Sequence, residues 1–305
     1  MSAPALSVVV VGHAMAREMP RTLRSLSPAM QRGIAADDYE IVLVDSGTRP
    51  RMAMGAWETY GARVRYHWHE TLSVSPAAAA NAGMRLARGG IVGLMIDGAR
   101  LASPGLLSGA LAAAAVHPRA VVATLGFHLG PDVQMRSIHA GYDQAREDAL
   151  LAACRWTEDG YNLFDIAAFA GSSAGGWFQP ITESNALFMT RAVWEALGWL
   201  DEGFAAPGGG LVNLDLYRRA TDLPGSELSM LLGEGSFHQI HGGVATNALV
   251  SPFELFHDEY KRLRGGAFVP PARLGRAVGA ASAPQARRWL ELSRELAREG
   301  RRVPI

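Results

Sequence analysis

The chain has 305 residues, 49% of them apolar, and its 29 basic residues balance 29 acidic ones. That composition excludes a disordered polypeptide and gives no whole-chain field for steering nucleic acid, so no nucleic-acid partner is expected. Cys154 is the one cysteine, which excludes an internal disulfide and a thiolate zinc site and makes a reducing cytoplasm the expected compartment. No signal peptide is visible at residues 1–4, and no apolar run reaches the ~20 residues of a transmembrane segment, so a soluble protein is expected.

A first strand is predicted over Leu6-Ser7-Val8-Val9-Val10-Val11; it leads through Gly12 and His13 to a helix whose Leu23 and Leu26 recur at helical spacing. Apolar runs at residues 41–45 and 91–97 end in Asp45 and Asp97, and the alanine-rich residues 77–87 between them, which contain Asn81, read as a helix. Such continuous runs are strands buried on both faces, and strand–helix alternation over residues 6–97 predicts a doubly wound, mostly parallel α/β sheet. Ligands bind such sheets at the carboxyl ends of the strands, which puts Gly12, His13, Asp45 and Asp97 at one crevice.

Residues 101–116 read as a turn and a helix, residues 120–125 as a strand, and residues 142–155 as a helix within an insertion over the sheet at 130–165. A glycine-rich loop at 171–178 precedes a strand at 182–189, a helix at 191–197, a turn at 198–204 and a helix at 211–220. The last strand-like piece, 228–233, opens into Glu234 and the segment His238-Gln239-Ile240-His241. Beyond Pro252 a helical extension is expected, with Trp289, Leu292 and Leu296 on one face of a helix over 286–302. Docking onto its own domain is the simplest role for that helix, with a dimer contact or a membrane-surface helix as alternatives. The expected organisation is a main domain at 1–250, in halves 1–100 and 101–250, followed by the extension at 251–305.

The residues after the first strand lack G-x-G-x-x-G and no phosphate-loop motif occurs, which disfavours a nicotinamide enzyme and a P-loop nucleotide triphosphatase. Gly171-Ser172-Ser173-Ala174-Gly175 matches the G-x-S-x-G elbow, with Asp215, His238 and His241 downstream in triad order. An elbow must open a helix, and Gly176-Trp177-Phe178-Gln179-Pro180 is a poor helix start, so a serine hydrolase is the minor alternative. His238 and His241 have spacing suited to two imidazole ligands, which Asp97 or Glu234 can complete with an oxygen donor. The bland counterparts are hydrogen-bonded histidines in a polar loop, and aspartates that cap the turns after their strands. Trp57, Trp156 and Trp194 are expected in the core, and Trp177 is the candidate for stacking on a ligand ring.

The segments Pro20 to Leu26, Val44-Asp45-Ser46-Gly47-Thr48, Asn81-Ala82-Gly83, Ile96-Asp97-Gly98-Ala99, Asn185 to Arg191 and Leu197 to Phe204 follow a recognisable order. In that order the chain resembles family 2 glycosyltransferases of the GT-A fold over about residues 6–245. The resemblance implies that Asp45 contacts the nucleotide base and that Asp97 opens the family's D-x-D motif near the ribose or diphosphate. Gly12, His13, Asn81 and Trp177 are further expected donor contacts from their own places in the chain. It also implies a divalent metal, Mn2+ or Mg2+, that neutralises the leaving nucleoside diphosphate, and a carboxylate that takes the proton of the attacking hydroxyl.

Two positions depart from the family pattern. Ala99 stands at the last D-x-D position, and Val212-Asn213 where the family's Glu-Asp base is found. Asp97 with His238 and His241 is the expected metal set, and Glu183 and Asp215 are the expected substitutes for the base. The expected function is an inverting, metal-dependent cytoplasmic glycosyltransferase using a nucleotide-sugar donor and an unknown acceptor, with a homo-oligomer left open. A non-catalytic GT-A protein that binds nucleotide sugars is the alternative.

Overall fold

The computed structural model describes residues 3–52, 61, 63–243 and 252–304. Strands β1 (Leu6–Gly12), β2 (Tyr39–Ser46) and β4 (Ile91–Met95) are the three apolar runs, and they pair in parallel with β1 in the middle. Val9, Val11, Val42 and Val44 join one core, while Leu6, Val8, Val10, Ile41 and Leu43 join a second on the other side of the sheet. That split is the two-residue alternation of a strand buried on both faces. Helices α1 (Met19–Ser25) and α3 (Leu106–Ala115) cover the second core, and α2 (Ala77–Leu86) covers the first.

Strand β3 (Val64–His69) pairs in parallel with β2 at the sheet edge and carries no apolar run. Val64, Tyr66 and Trp68 alternate with Arg65, His67 and His69, the pattern of a strand with one wet face. On the other side, β8 (Leu187–Thr190) runs antiparallel between β4 and β6 (Ala120–Leu129), and β9 (Glu227–His238) runs parallel to β6. The sheet order is β10-β9-β6-β8-β4-β1-β2-β3, with β5 (Arg100–Ala102) pairing with the end of β9 and β7 (Ala167–Phe169) with β6. Strands β1, β2, β4, β6 and β9 therefore point the same way, and their carboxyl ends share one edge.

Strand β9 extends well past the predicted 228–233 and takes His238 into the sheet. Its register against β6 breaks between Ala123 and Leu125, near Gly233. Gly233 has φ +76°, and a Cβ there would lie 2.5 Å from Ala281 Cα, so this irregularity needs glycine. The expected insertion over the sheet contains α4 (Gln134–His139) and α5 (Gln144–Ala153), and α6 (Arg191–Leu197) and α7 (Val212–Asp222) lie where helices were predicted.

The segment after residue 250 is integrated with the main fold. Beyond α8 (Phe253–Arg264), β10 (Arg276–Gly279) pairs in parallel with β9, and α9 (Pro284–Glu299) buries Ala286 and Leu296 in the first core. Trp289 lies 4.7 Å from the Phe169 ring and donates its indole N–H to Phe164 O at 3.0 Å. Residue 250, the expected boundary, and Trp57 lie outside the described residues. Among the described residues no helix is long and apolar enough to cross a membrane.

Deletion of residues 273–305 removes a strand and a core helix together, and uncovers Phe127, Phe164 and Phe169. The truncated chain is expected to lose its near-ultraviolet circular dichroism and its cooperative melt. A sharp melt at the full-length temperature would show that the extension is an independent appendage.

Candidate active site

The site is assembled by strand pairing. Arg100 of β5 pairs with His238 of β9, and His238 pairs with His128 of β6. Directly paired residues project from the same face, so Arg100, His238 and His128 form a row, while Leu101, Phe237 and Phe127 beside them enter the core. Asp97 reaches the row from the chain just after β4, and His241 from the turn after β9.

Asp97 Oδ2 lies 2.7 Å from His238 Nε2 and 3.4 Å from His241 Nε2, and the two Nε2 atoms are 3.0 Å apart. Asp97 Oδ1 accepts from the Ala99 N–H at 3.0 Å, which orients the carboxylate. Asp97 and His241 keep 21% and 15% of their side chains exposed, whereas His238 keeps 2%, so the group is open on one side. Burial pushes the His238 imidazole down to about 4, against the pull of Asp97. Burial would raise Asp97, but the two neighbouring imidazoles outweigh it and hold the carboxyl well below its usual range. Burial would lower His241 and the Asp97 charge overrides it, so this imidazole is raised. His128 is held well below the usual range, chiefly by burial, and its Nδ1 accepts from the Gln134 N–H at 2.8 Å, which leaves the other ring nitrogen to carry the proton.

Asp97, His238 and His241 fit a divalent cation. Their donor atoms all lie within 4.8 Å of one another. Neighbouring ligands of an octahedral ion with bonds of about 2.1 Å stand about 3.0 Å apart, close to the three separations here. One carboxylate and two imidazoles suit iron or zinc better than magnesium, which favours oxygen donors.

No protein-family model matches the sequence, and no curated protein matches it. Solved structures do. A crystal structure of S. aureus TarS superposes with a TM-score of 0.50 at 16% identity, over 85% of this chain and 38% of that one. Residues 1–349 of S. aureus TarS in complex with UDP-GlcNAc give a TM-score of 0.53 at 17% identity, over 87% of this chain and 67% of that one. The fold is GT-A. This chain thus spans 38% of the length of the longer TarS chain.

Within the GT-A sheet, Gly12 ends β1 and pairs with Asp45, so it lies between β2 and the β4 end that leads to Asp97. Asp45 is buried and accepts from the Thr48 N–H at 3.1 Å and the Tyr66 hydroxyl at 2.8 Å. Those bonds are the capping arrangement that was its bland reading. His13 is exposed, and its Nδ1 donates to Ser46 O at 2.6 Å.

Other expected site residues serve the scaffold. Trp177 is fully buried, donates to Leu231 O at 2.7 Å and has no face free for a ligand ring. Asn81 is bonded to both polar backbone groups of Leu200 and clamps the turn after α6. Asp215, 1% exposed, points its oxygens at Arg219 and Arg264 at 2.6–2.8 Å, so it ties α7 to α8 and does not open on the crevice. Ser173 is fully buried on a short 3-10 turn and accepts from the Gly126 N–H, so the hydrolase elbow is absent.

Glu183 precedes β8 at the ligand edge, half-buried, and accepts from Asn213 Nδ2 at 2.7 Å. The expected base thus stands against the residue found where the family's own base pair would fall. Arg100 and His128 were missed in the sequence reading. Two signals stood in view: a charged residue just after Asp97 within an apolar stretch, and a strand that runs on past Leu125.

His238 binds its proton less readily folded than unfolded, with a folded value of about 4 against an ordinary value near 6.5. In that window the unfolded chain takes up the extra proton, so this group's contribution to stability is present above pH 6.5 and is lost as pH falls toward 4. Wild type is therefore expected to lose melting temperature, relative to His238→Gln, as pH drops from 6.5 to 4. A constant difference across that range in a pH-resolved thermal melt would contradict the burial assigned to this imidazole.

Proposed function

We propose that this chain is a glycosyltransferase that moves a glycosyl group from a nucleoside-diphosphate sugar to an acceptor hydroxyl. The observation that carries the reading is the convergence of Asp97, His238 and His241 at the ligand edge of a GT-A sheet. These three side chains would hold a divalent cation. When bound, that cation supplies positive charge to the departing nucleoside diphosphate.

The remaining work falls to the chain's own groups. Neutral His238 frees an Nε2 lone pair by moving its one ring proton to Nδ1, with no deprotonation, and ionised Asp97 offers an oxygen while Ala99 N–H holds the carboxylate in place. Glu183 accepts the proton of the acceptor hydroxyl, while Asn213 occupies its Oε2 and leaves Oε1 available. The acceptor oxygen bonds to the anomeric carbon as the bond from that carbon to the phosphate oxygen breaks, and attack opposite the leaving group inverts the centre. Asp45 shapes the β2 turn near which the base would rest.

A second reading, a non-catalytic nucleotide-sugar-binding protein, is favoured by Ala99 and Asn213 at two positions where the family carries its chemistry. Turnover separates the two. With manganese and a panel of uridine, guanosine, cytidine and thymidine diphosphate sugars, wild type is expected to release nucleoside diphosphate. Glu183→Gln is expected to lower kcat by about 10²- to 10⁴-fold, the usual worth of a positioned base, with donor affinity unchanged. Undiminished turnover in that variant would remove Glu183 from the base role, and donor binding without turnover in wild type would favour the second reading.

A further inference from the structure

Arg100 is a buried charge with unmet hydrogen-bonding capacity. It is 6% exposed, and its Nε and Nη1 are buried without a hydrogen-bond partner. Asp97 Oδ2 lies 3.9 Å from Nε, an ion-pair distance too long for a hydrogen bond. Burial lowers the proton affinity of this guanidinium, and the charges of Asp97 and Glu183 only partly offset that.

Arg17 and Arg21 each also leave one buried nitrogen unpaired, but both are bonded to Asp148. Arg65 is bonded to Glu40 through two nitrogens, and Arg264 to both Asp215 and Asp201. A buried guanidinium left short of acceptors is strongly unfavourable, so its retention beside an open cluster calls for an acceptor from outside the chain.

We infer that Arg100 grips the diphosphate of the donor, donating Nε–H and Nη1–H to phosphate oxygens. The inference rests on the glycosyltransferase reading of the same site. The local charge favours an anion: Asp97 and Glu183 set against Arg100 and a divalent cation leave one net positive charge. Arginine suits the task because its planar fork directs several N–H groups at phosphate oxygens, whereas lysine offers a single point charge. Through its pairing with His238, Arg100 is fixed on the same sheet face as the metal donors.

The test is calorimetric titration of the full chain with Mn2+ present, using UDP, GDP, CDP, dTDP and inorganic pyrophosphate. Wild type, Arg100→Met and Arg100→Lys are compared, with Mn2+ affinity and the melting temperature of each protein measured separately. At least one nucleoside diphosphate is expected to bind wild type. Arg100→Met is expected to weaken that binding by roughly 10- to 100-fold, the worth of one charge-assisted hydrogen bond, and Arg100→Lys by less. Mn2+ affinity should not fall, since a neighbouring positive charge is removed, and the ligand-free Met variant should melt no lower than wild type, because it relieves an unpaired buried charge. Wild-type affinity in Arg100→Met overturns the inference while leaving the donor reading in place, and an unfolded or less stable Met variant assigns Arg100 to the scaffold and overturns it as well. Binding of pyrophosphate alone, or of no probe, by wild type removes both the inference and the donor reading.

Discussion

The short antiparallel pairing of β5 with the end of β9 is the constraint on which the site depends. Arg100 faces His238, Leu101 faces Phe237 and Ala102 faces Ser236, and the Gln239 N–H continues the ladder to Ala99 O at 2.8 Å. Asp97 is three residues from this pairing, so the ladder brings its carboxylate to an imidazole far away in sequence. Under it, Phe237 stacks on Phe127 at 5.3 Å and meets Phe164 edge-on at 4.9 Å. A sliding register would turn those rings toward the crevice and the histidine into the core, which is what holds the pairing in place.

The turn that carries His241 is fastened as firmly. Glu147 of α5 accepts from the Ile240 N–H at 2.7 Å, Arg17 donates to Ile240 O at 3.1 Å, and Gln239 donates to Glu18 O at 3.3 Å. Burial pushes the Glu147 carboxyl up to about 7, with the Ile240 N–H and Arg17 pulling the other way. The insertion over the sheet thus acts from beneath the site as a support for the histidine segment. Second contacts of this kind decide whether a metal site is preformed or must be organised by its ion.

Much of the fold was legible because its central strands are apolar on both faces, and that pattern has few other meanings. Residues 6–12, 39–46 and 91–95 fall into this class, and the crevice at their carboxyl ends follows from their direction. Strand β3 was hidden by its polar alternation, and β7 and β10 by being only three and four residues long. In the site, Asp97, His238 and His241 were visible as chemistry-bearing residues at strand ends, whereas their meeting point depends on β5 and β9, whose pairing leaves no local trace. Trp177, Asn81 and Asp215 read as functional for the same local reasons, but each is consumed by a long-range partner: Leu231 O, the Leu200 backbone, and the Arg219–Arg264 pair. Residue type and spacing identify candidates for a site, and only tertiary pairing decides which of them are left unsatisfied to receive a ligand.

The proposed cation site joins Asp97, His238 and His241 at the carboxyl edge of the sheet. Anomalous diffraction at the manganese edge, from crystals grown with Mn2+ and a nucleoside diphosphate, tests it most directly. One peak about 2.2 Å from Asp97 Oδ2, His238 Nε2 and His241 Nε2 is expected for such a site, with the phosphates on its open side. The proposed site is contradicted if the two imidazoles keep their 3.0 Å contact and the metal lies elsewhere or is absent.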